Sequence, residues 1–346
     1  MTTFLQCVIA IITFCWAGIA AADKTLNIYT WAGEIPRAII LQFEKETGIK
    51  VTHTTFDSNE MMLTKLRATQ NKGYDLIEPS SYYIDRMRKQ GLLEKLDKTK
   101  LSNYKNLDPL FLNTAYDPRG EYSIPLVWGI TGIFLNQDYF AAHQITQWSD
   151  LFDKKYYNQL LFLDDAREVF SMALRMLSYS INDTNPEHIH QAYLKLKELM
   201  PNIRLFNSSA VASILIDEDA TIGMAWNGDM FKAYRENKKL HFTFPKDGFE
   251  IWVDNFALLK NAEHKENAYT FLNFIMRPDI AKEISSTITY STANLEARKL
   301  MAPEIRNNMA LYPTPDIMQH GEFQTDIGEK TLALYEKYWE KLKIGA

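Results

Sequence analysis

From Leu26 onward, apolar and polar positions follow a succession of short periods. Leu26 to Trp31 alternates, the two-residue repeat of a strand, and Ala32-Gly33 marks a turn. Pro36 suits the first position of a helix, where its missing N–H is not needed. Ile35, Ile39 and Phe43 recur at helical spacing, and Gly48 ends that helix. Ile49 to Phe56 reads as a second strand. Asn59 is expected to cap a second helix with Met62 and Leu66 on one face, and Tyr74 to Ile77 forms a third strand stopped by Pro79-Ser80. This βαβαβ order opens a largely parallel sheet. Ligands of such sheets sit beyond the carboxyl ends of the strands, so Trp31 and Ser80 are candidates on placement alone.

The pattern continues as α/β. Tyr122 to Phe134 is nearly all apolar and reads as strands leading into a second lobe. Strands are expected at 160–163 and 220–226, and helices at 165–177 and 188–200. A strand at 250–259 returns to the first lobe. Helices follow at 262–274 and 278–286, and an amphipathic helix at 327–342 carries Leu334, Tyr338 and Leu342. Two α/β lobes joined by more than one crossing make a hinged clamp. The first lobe is expected to hold residues 23–130 and 253–294, the second 131–252 and 295–346.

Residues 4–22 are uncharged and mostly apolar, ending in Ala20-Ala21-Ala22 before Asp23. That run is short for a membrane span and reads as a signal peptide with its cleavage site, although no Lys or Arg precedes Val8. Export to the periplasm follows. Both cysteines, Cys7 and Cys15, lie inside this segment, so the exported chain has no disulfide and no cysteine nucleophile. The net charge of −5 argues against a nucleic-acid partner and suits a host for cations.

Nucleotide-binding glycine motifs are missing, as are H-E-x-x-H, C-x-x-C and G-x-S-x-G. His188 and His190, two apart on a helix, point to different faces and do not make a metal pair. No cofactor and no metal is expected. What stands out is aromatic: six tryptophans follow the leader, and Trp31, Tyr82, Trp226, Trp252 and Tyr290 fall near predicted strand ends. Their π faces can sandwich methylene chains and attract ammonium groups, although any single one of them is more often a core residue than a site residue. Trp128, Trp148 and Trp339 read as ordinary packing residues. Asp165 and Glu168 have the spacing of a helix-capping box. Trp252 and Asp254 share one face of a strand, where an inward carboxylate needs a cation or hydrogen bonds.

In FEKETGIKV (43–51), YDLIEPSSYYIDRMRKQG (74–91), LDKTKLSNYKNLDP (96–109), YSIPLVWGITGI (122–133), DDAREVFSMALR (164–175), MAWNG (224–228), RPDIAKEI (277–284) and GEFQTDIG (321–328), the chain resembles the spermidine/putrescine-binding periplasmic proteins of bacterial polyamine ABC transporters. The resemblance implies a periplasmic binding protein fold with a polyamine held between the lobes, a membrane ABC permease as partner, a monomer, and no enzymatic activity. It implies that Trp31 lines the mouth and that Ser80 and Tyr82 add a hydroxyl and an aromatic wall. Asp165 and Glu168 would bind a terminal ammonium and Ser208 a polar group. Trp226 and Trp252 would stack on the methylene chain, Asp254 would pair with an inner amine, and Tyr290 and Gln324 would complete the pocket.

One stretch departs from that pattern. After Trp31 the spermidine-type proteins have polar and aromatic residues, whereas this chain has Ala32-Gly33-Glu34. Glu34 either meets the far ammonium of the ligand or favours the dipole of the helix behind it. Three other functions remain open at this level, one of them a sensor of the same fold that presents polyamine occupancy to a membrane partner. Tyr82-Tyr83 is similar to the adjacent tyrosines of ferric-ion-binding periplasmic proteins, though neighbours on a strand point oppositely. Asp165 or Glu168 with Asp254 could also serve a hydrolase as an acid/base pair.

Overall fold

The computed structural model describes residues 24–344; the expected signal peptide, with Cys7 and Cys15, lies outside the described residues. Strand β1 (Thr25–Trp31) pairs in parallel with β2 (Lys50–Phe56) along its length and with the short β3 (Leu76–Ile77) on its other side. Alternation along β1 sorts its side chains. Leu26 and Ile28 pack with Ile39 and Phe43 of helix α1 (Arg37–Thr47), while Tyr29 packs with Met62 and Leu66 of α2 (Asn59–Ala68). Gly48 closes α1 in the left-handed conformation, at φ 71°.

Three local expectations need correction. Pro36 is extended and sits just before α1 rather than inside it. The second helix is capped by Ser58, whose hydroxyl accepts from the Met61 N–H; Asn59 is already helical and its amide is used elsewhere. The chain after Pro79 is helix α3 (Ser81–Lys89), which no period announced, because 7 of its 9 residues are buried. Its charged members are satisfied internally: Arg86 pairs with Asp326 at 2.8 Å, and Asp85 accepts from Arg88 and Lys89.

The chain continues with β4 (Ile124–Asn136), β5 (Leu160–Phe162), α4 (Ala166–Met176), α5 (Pro186–Leu199), β6 (Ile203–Phe206), β7 (Ile222–Trp226), α6 (Asn227–Glu236) and β8 (Leu240–Thr243). Then β9 (Phe249–Leu258) returns, followed by α7 (Lys265–Ile275), α8 (Pro278–Ile288), β10 (Ser291–Thr292), β11 (Gly321–Phe323) and α9 (Gly328–Ile344). Helix α9 packs on α4 and α5, with Tyr335 stacked on Phe170 and Tyr338 on Tyr193. Tyr335 is buried and Leu334 half-buried, so the apolar face is turned slightly from the expected one.

The main strand order is β2-β1-β3-β9-β4-β7-β5-β6. β4 and β9 join the lobes. Residues 124–130 of β4 pair antiparallel with β9, and 131–136 pair with β7 and β8. β9 meets β11 at residues 249–251 and β3 at 257–258. Every residue of both strands is buried, including Glu250, Asp254 and Asn255 of β9.

Candidate functional site

A cleft of about 620 Å³ opens between the lobes, and all twelve residues singled out from the sequence border it. The first-lobe wall is made of residues at the carboxyl ends of its strands. Trp31 ends β1, its ring 4.8 Å from that of Phe56, and Glu34 lies in the turn that follows. Ser80 forms a bridge with Asp254, and its Oγ–H donates to Asp254 Oδ1 at 2.6 Å. Asn59 holds this arrangement from behind, its Nδ2 donating to Ser80 Oγ and to the Tyr82 hydroxyl at 3.1 Å each. A side chain expected to cap a helix therefore orients two residues of the cleft.

On the opposite wall, Asp165 caps α4 by accepting from the Glu168 N–H at 3.2 Å. The capping box is only half made. Glu168 turns instead to Trp226 at the end of β7, whose Nε1–H donates to its Oε1 at 2.9 Å, while Oε2 has no partner. Gln324 donates to Glu250 Oε1, and Ser171 to Glu250 Oε2 at 2.5 Å. The rings of Trp252 and Tyr290 meet edge to face at 5.1 Å, and the Tyr290 hydroxyl donates to Asp229 at 2.9 Å. Ser208 Oγ and the indole N–H groups of Trp31 and Trp252 are buried without partners. Such atoms cost free energy unless something fills the space beside them.

Trp252 is not at a strand end as expected. It sits midway along β9, where β4 crosses it, and Gly129 opposite leaves the space its indole occupies. Tyr82 lies in the first turn of α3, not on a strand. It faces the cleft, whereas Tyr83 turns away to donate to Glu60 at 3.1 Å, so the two phenols share no ligand position. His188 pairs with Asp183 and His190 with Tyr338, as separate surface contacts. Among the described residues no group of three or more His, Cys, Asp or Glu converges as metal ligands.

Carboxylates dominate the electrostatics. Burial, then the charges of Asp254 and Glu78, pushes Glu34 well above the usual carboxylate range. Asp254 is pushed up to about 6 by burial, against the pull of the Ser80 hydrogen bond. On the other wall, burial pushes Asp165 up to about 6, and burial with the charges of Glu250 and Asp165 drives Glu168 well above its ordinary value. In total the cleft presents six carboxylates (Glu34, Asp57, Asp165, Glu168, Asp229 and Asp254) against two cations, Arg167 and Lys232. Arg167 is already engaged, donating to Asn182 at 2.9 Å and standing over the Tyr82 ring.

Two acidic members were missed in the sequence. Glu250 lies two and four residues before Trp252 and Asp254 on one strand, so the two-residue period that joins those two also places it on their face. Glu78 precedes Pro79-Ser80 at the carboxyl end of β3, the placement that singled out Ser80.

The profile of the bacterial extracellular solute-binding proteins matches residues 38–313. The spermidine/putrescine-binding periplasmic protein of Salmonella typhimurium is 47% identical over 326 residues, covering 94% of this chain and 93% of that one. Its counterpart in Escherichia coli K12 is 46% identical over 93% of this chain and 92% of its own. The crystal structure of the spermidine/putrescine ABC transporter substrate-binding protein PotD from Streptococcus pneumoniae superposes with a TM-score of 0.82 at 33% identity, over 92% of this chain and 98% of that one. With its profile, its close relatives and its two-lobed fold in agreement, this chain belongs to the bacterial extracellular solute-binding protein family.

Proposed function

We propose that this protein works in the periplasm as the substrate-binding component of a polyamine ABC transporter, taking up a polycation such as spermidine or putrescine and passing it to a membrane permease. The observation that carries this reading is the pair of buried acidic groups, one on each wall, with indole rings between them. An isolated ammonium taken from water needs a carboxylate, and methylene chains need apolar walls. An elongated diamine or triamine supplies both along one molecule. In this reading Asp165 and Glu168 take one terminal ammonium, and Asp254 with Glu34 takes an amine at the other wall. Trp31, Trp226, Trp252, Tyr82 and Tyr290 enclose the chain, and Ser80, Ser208 and Gln324 supply polar contacts.

The lobes divide where β4 changes partners, between Ile130 and Thr131, and between Trp252 and Val253 on β9. Closure about these points would bring the two carboxylate groups onto one ligand, by the hinge motion common to two-domain binders. The protein acts as a monomer, and the site binds without catalysis. Glu168 and Asp254 stand on separate walls, each committed to a fixed hydrogen bond to Trp226 or Ser80.

A thermal-shift screen tests the proposal, because selective binding to the native state must raise apparent stability. Putrescine, cadaverine, spermidine and spermine should stabilise the protein, and amino acids, sugars and ferric ion should not. Stabilisation by ferric ion with a visible charge-transfer band, or turnover of a glycoside or ester, would sink it.

A further inference from the structure

Behind the cleft wall lies a carboxylate that touches no ligand space. Glu78 is 0% exposed and makes no hydrogen bond of ordinary geometry, but the Trp31 backbone and the Glu34 carboxyl lie close enough to act on its carboxyl. It stands just after β3; Glu34 and Asp254 border the cleft, Glu78 does not, and all three lie within reach of one another's charge. Glu34 is part-exposed, but its Oε2 is buried and also lacks a partner. The surroundings offer no counter-charge. Asp254 faces the group from β9 and Glu34 from the turn after β1. Tyr290 comes from the segment before β10 with Asp229 behind it, and Tyr116 lies beyond Asp254. On the β1–β2 side stand Asp57, which borders the cleft with Glu34, and His53, hydrogen-bonded to Thr30 at 2.8 Å. No lysine or arginine pairs with any of the three carboxylates among the described residues.

Three ionised carboxylates this close with no cation repel strongly, and the ordinary relief is for some to keep a proton. Burial raises Glu78 as it does Glu34, and the charge of Asp254 adds to both. An ammonium group arriving beside Asp254 and Glu34 reverses the balance by supplying the missing positive charge.

Resting on the polyamine reading above, we propose that Glu34 and Glu78 share one proton while the cleft is empty, and that ligand binding displaces it to solvent. Glu78 is then a positioning residue. It never meets the ligand, but it sets the protonation of Glu34 and makes capture proton-linked. The departure from the spermidine-type pattern after Trp31 is thus one half of a two-carboxylate device whose other half is hidden beneath it.

Calorimetry of putrescine binding near neutral pH, in buffers of different ionisation enthalpy, counts the protons released. Glu78→Gln keeps the size and polarity of the side chain. It should bind putrescine with a release lower by about one proton per ligand. Its affinity should then rise with pH less steeply than the wild type's, by up to about tenfold per pH unit. Glu34→Gln should lose the same release, because the pair is broken from the other side. The infrared difference spectrum of the wild type should lose a protonated-carboxyl band on binding that Glu78→Gln lacks. The contribution of Glu168 is common to all three proteins and cancels in these comparisons. Binding with the same proton count in wild type and both variants would overturn the proposal and leave the polyamine reading intact. Absence of binding to every polyamine would overturn both.

Discussion

At the residue scale, the cleft sets function against stability. Glu168 is buried with one oxygen held by Trp226 and the other unpartnered, under the charges of Glu250 and Asp165. A glutamine there keeps an oxygen for the Trp226 N–H but removes the charge. Removing one member of a buried charge pair in a complex costs about 2–5 kcal/mol, so Glu168→Gln and Asp254→Asn should each weaken polyamine binding by well over an order of magnitude in calorimetry. The empty protein should behave oppositely. With one like charge fewer, its melting temperature should hold or rise, as is common where a site is built at the expense of the fold. A variant that lost affinity and melted early would mean that the side chain matters to folding rather than to the ligand. Trp226→Phe separates two roles of one residue: it keeps an aromatic wall but leaves Glu168 without its donor, and the loss should be smaller than that of Glu168→Gln.

At the scale of elements, two glycines decide how close the aromatic walls stand. Gly129 on β4 faces Trp252 across the ladder, and a Cβ there would lie 2.2 Å from the indole. Gly228, in the first turn of α6, gives the Tyr290 ring its place; a Cβ would lie 2.1 Å from that ring. Neither ring is a flexible end that can swing aside cheaply, and over-packing of this kind costs about 1–3 kcal/mol. Gly228→Ala should therefore shift Tyr290 and, through the edge contact, Trp252. Polyamine affinity should fall more than the melting temperature does, and unchanged affinity would remove Tyr290 from the binding wall. Elements with a clean pattern were legible in the sequence: β1, β2 and α1 through alternation and the Ile39–Phe43 spacing, and the mostly apolar β4 and β9 by composition. Helix α3 was not, because its charges are buried and paired with residues far along the chain, such as Asp326. The same limit hid Asn59, since a polar residue at a helix start looks like a cap until its partner 21 or 23 residues away is seen.

At the scale of the whole molecule, the cleft carboxylates connect pH, stability and ligand. The twelve cleft residues are scattered from Trp31 to Gln324 over strand ends, helix starts, loops and the middle of β9, so sequence placement could nominate them only singly. Only the crossing of β4 and β9 brings them onto facing walls. Burial there binds protons to Asp165 and Asp254 more tightly than the unfolded chain does, raising each to about 6 from an ordinary carboxylate value near 4. A carboxylate raised by folding stabilises the native state fully below its unfolded value. That contribution is lost as pH climbs through the folded value. For the empty protein, these two groups should therefore lower the melting temperature progressively between about pH 4 and pH 7. A bound polyamine places ammonium charges beside the same carboxylates, favours their ionised form and cancels that loss. The stabilisation produced by saturating spermidine should then grow with pH across this window, read as the gap between melting curves with and without ligand. A gap that stayed constant from about pH 5 to pH 7.5 would mean that the carboxylates are not what the cation meets.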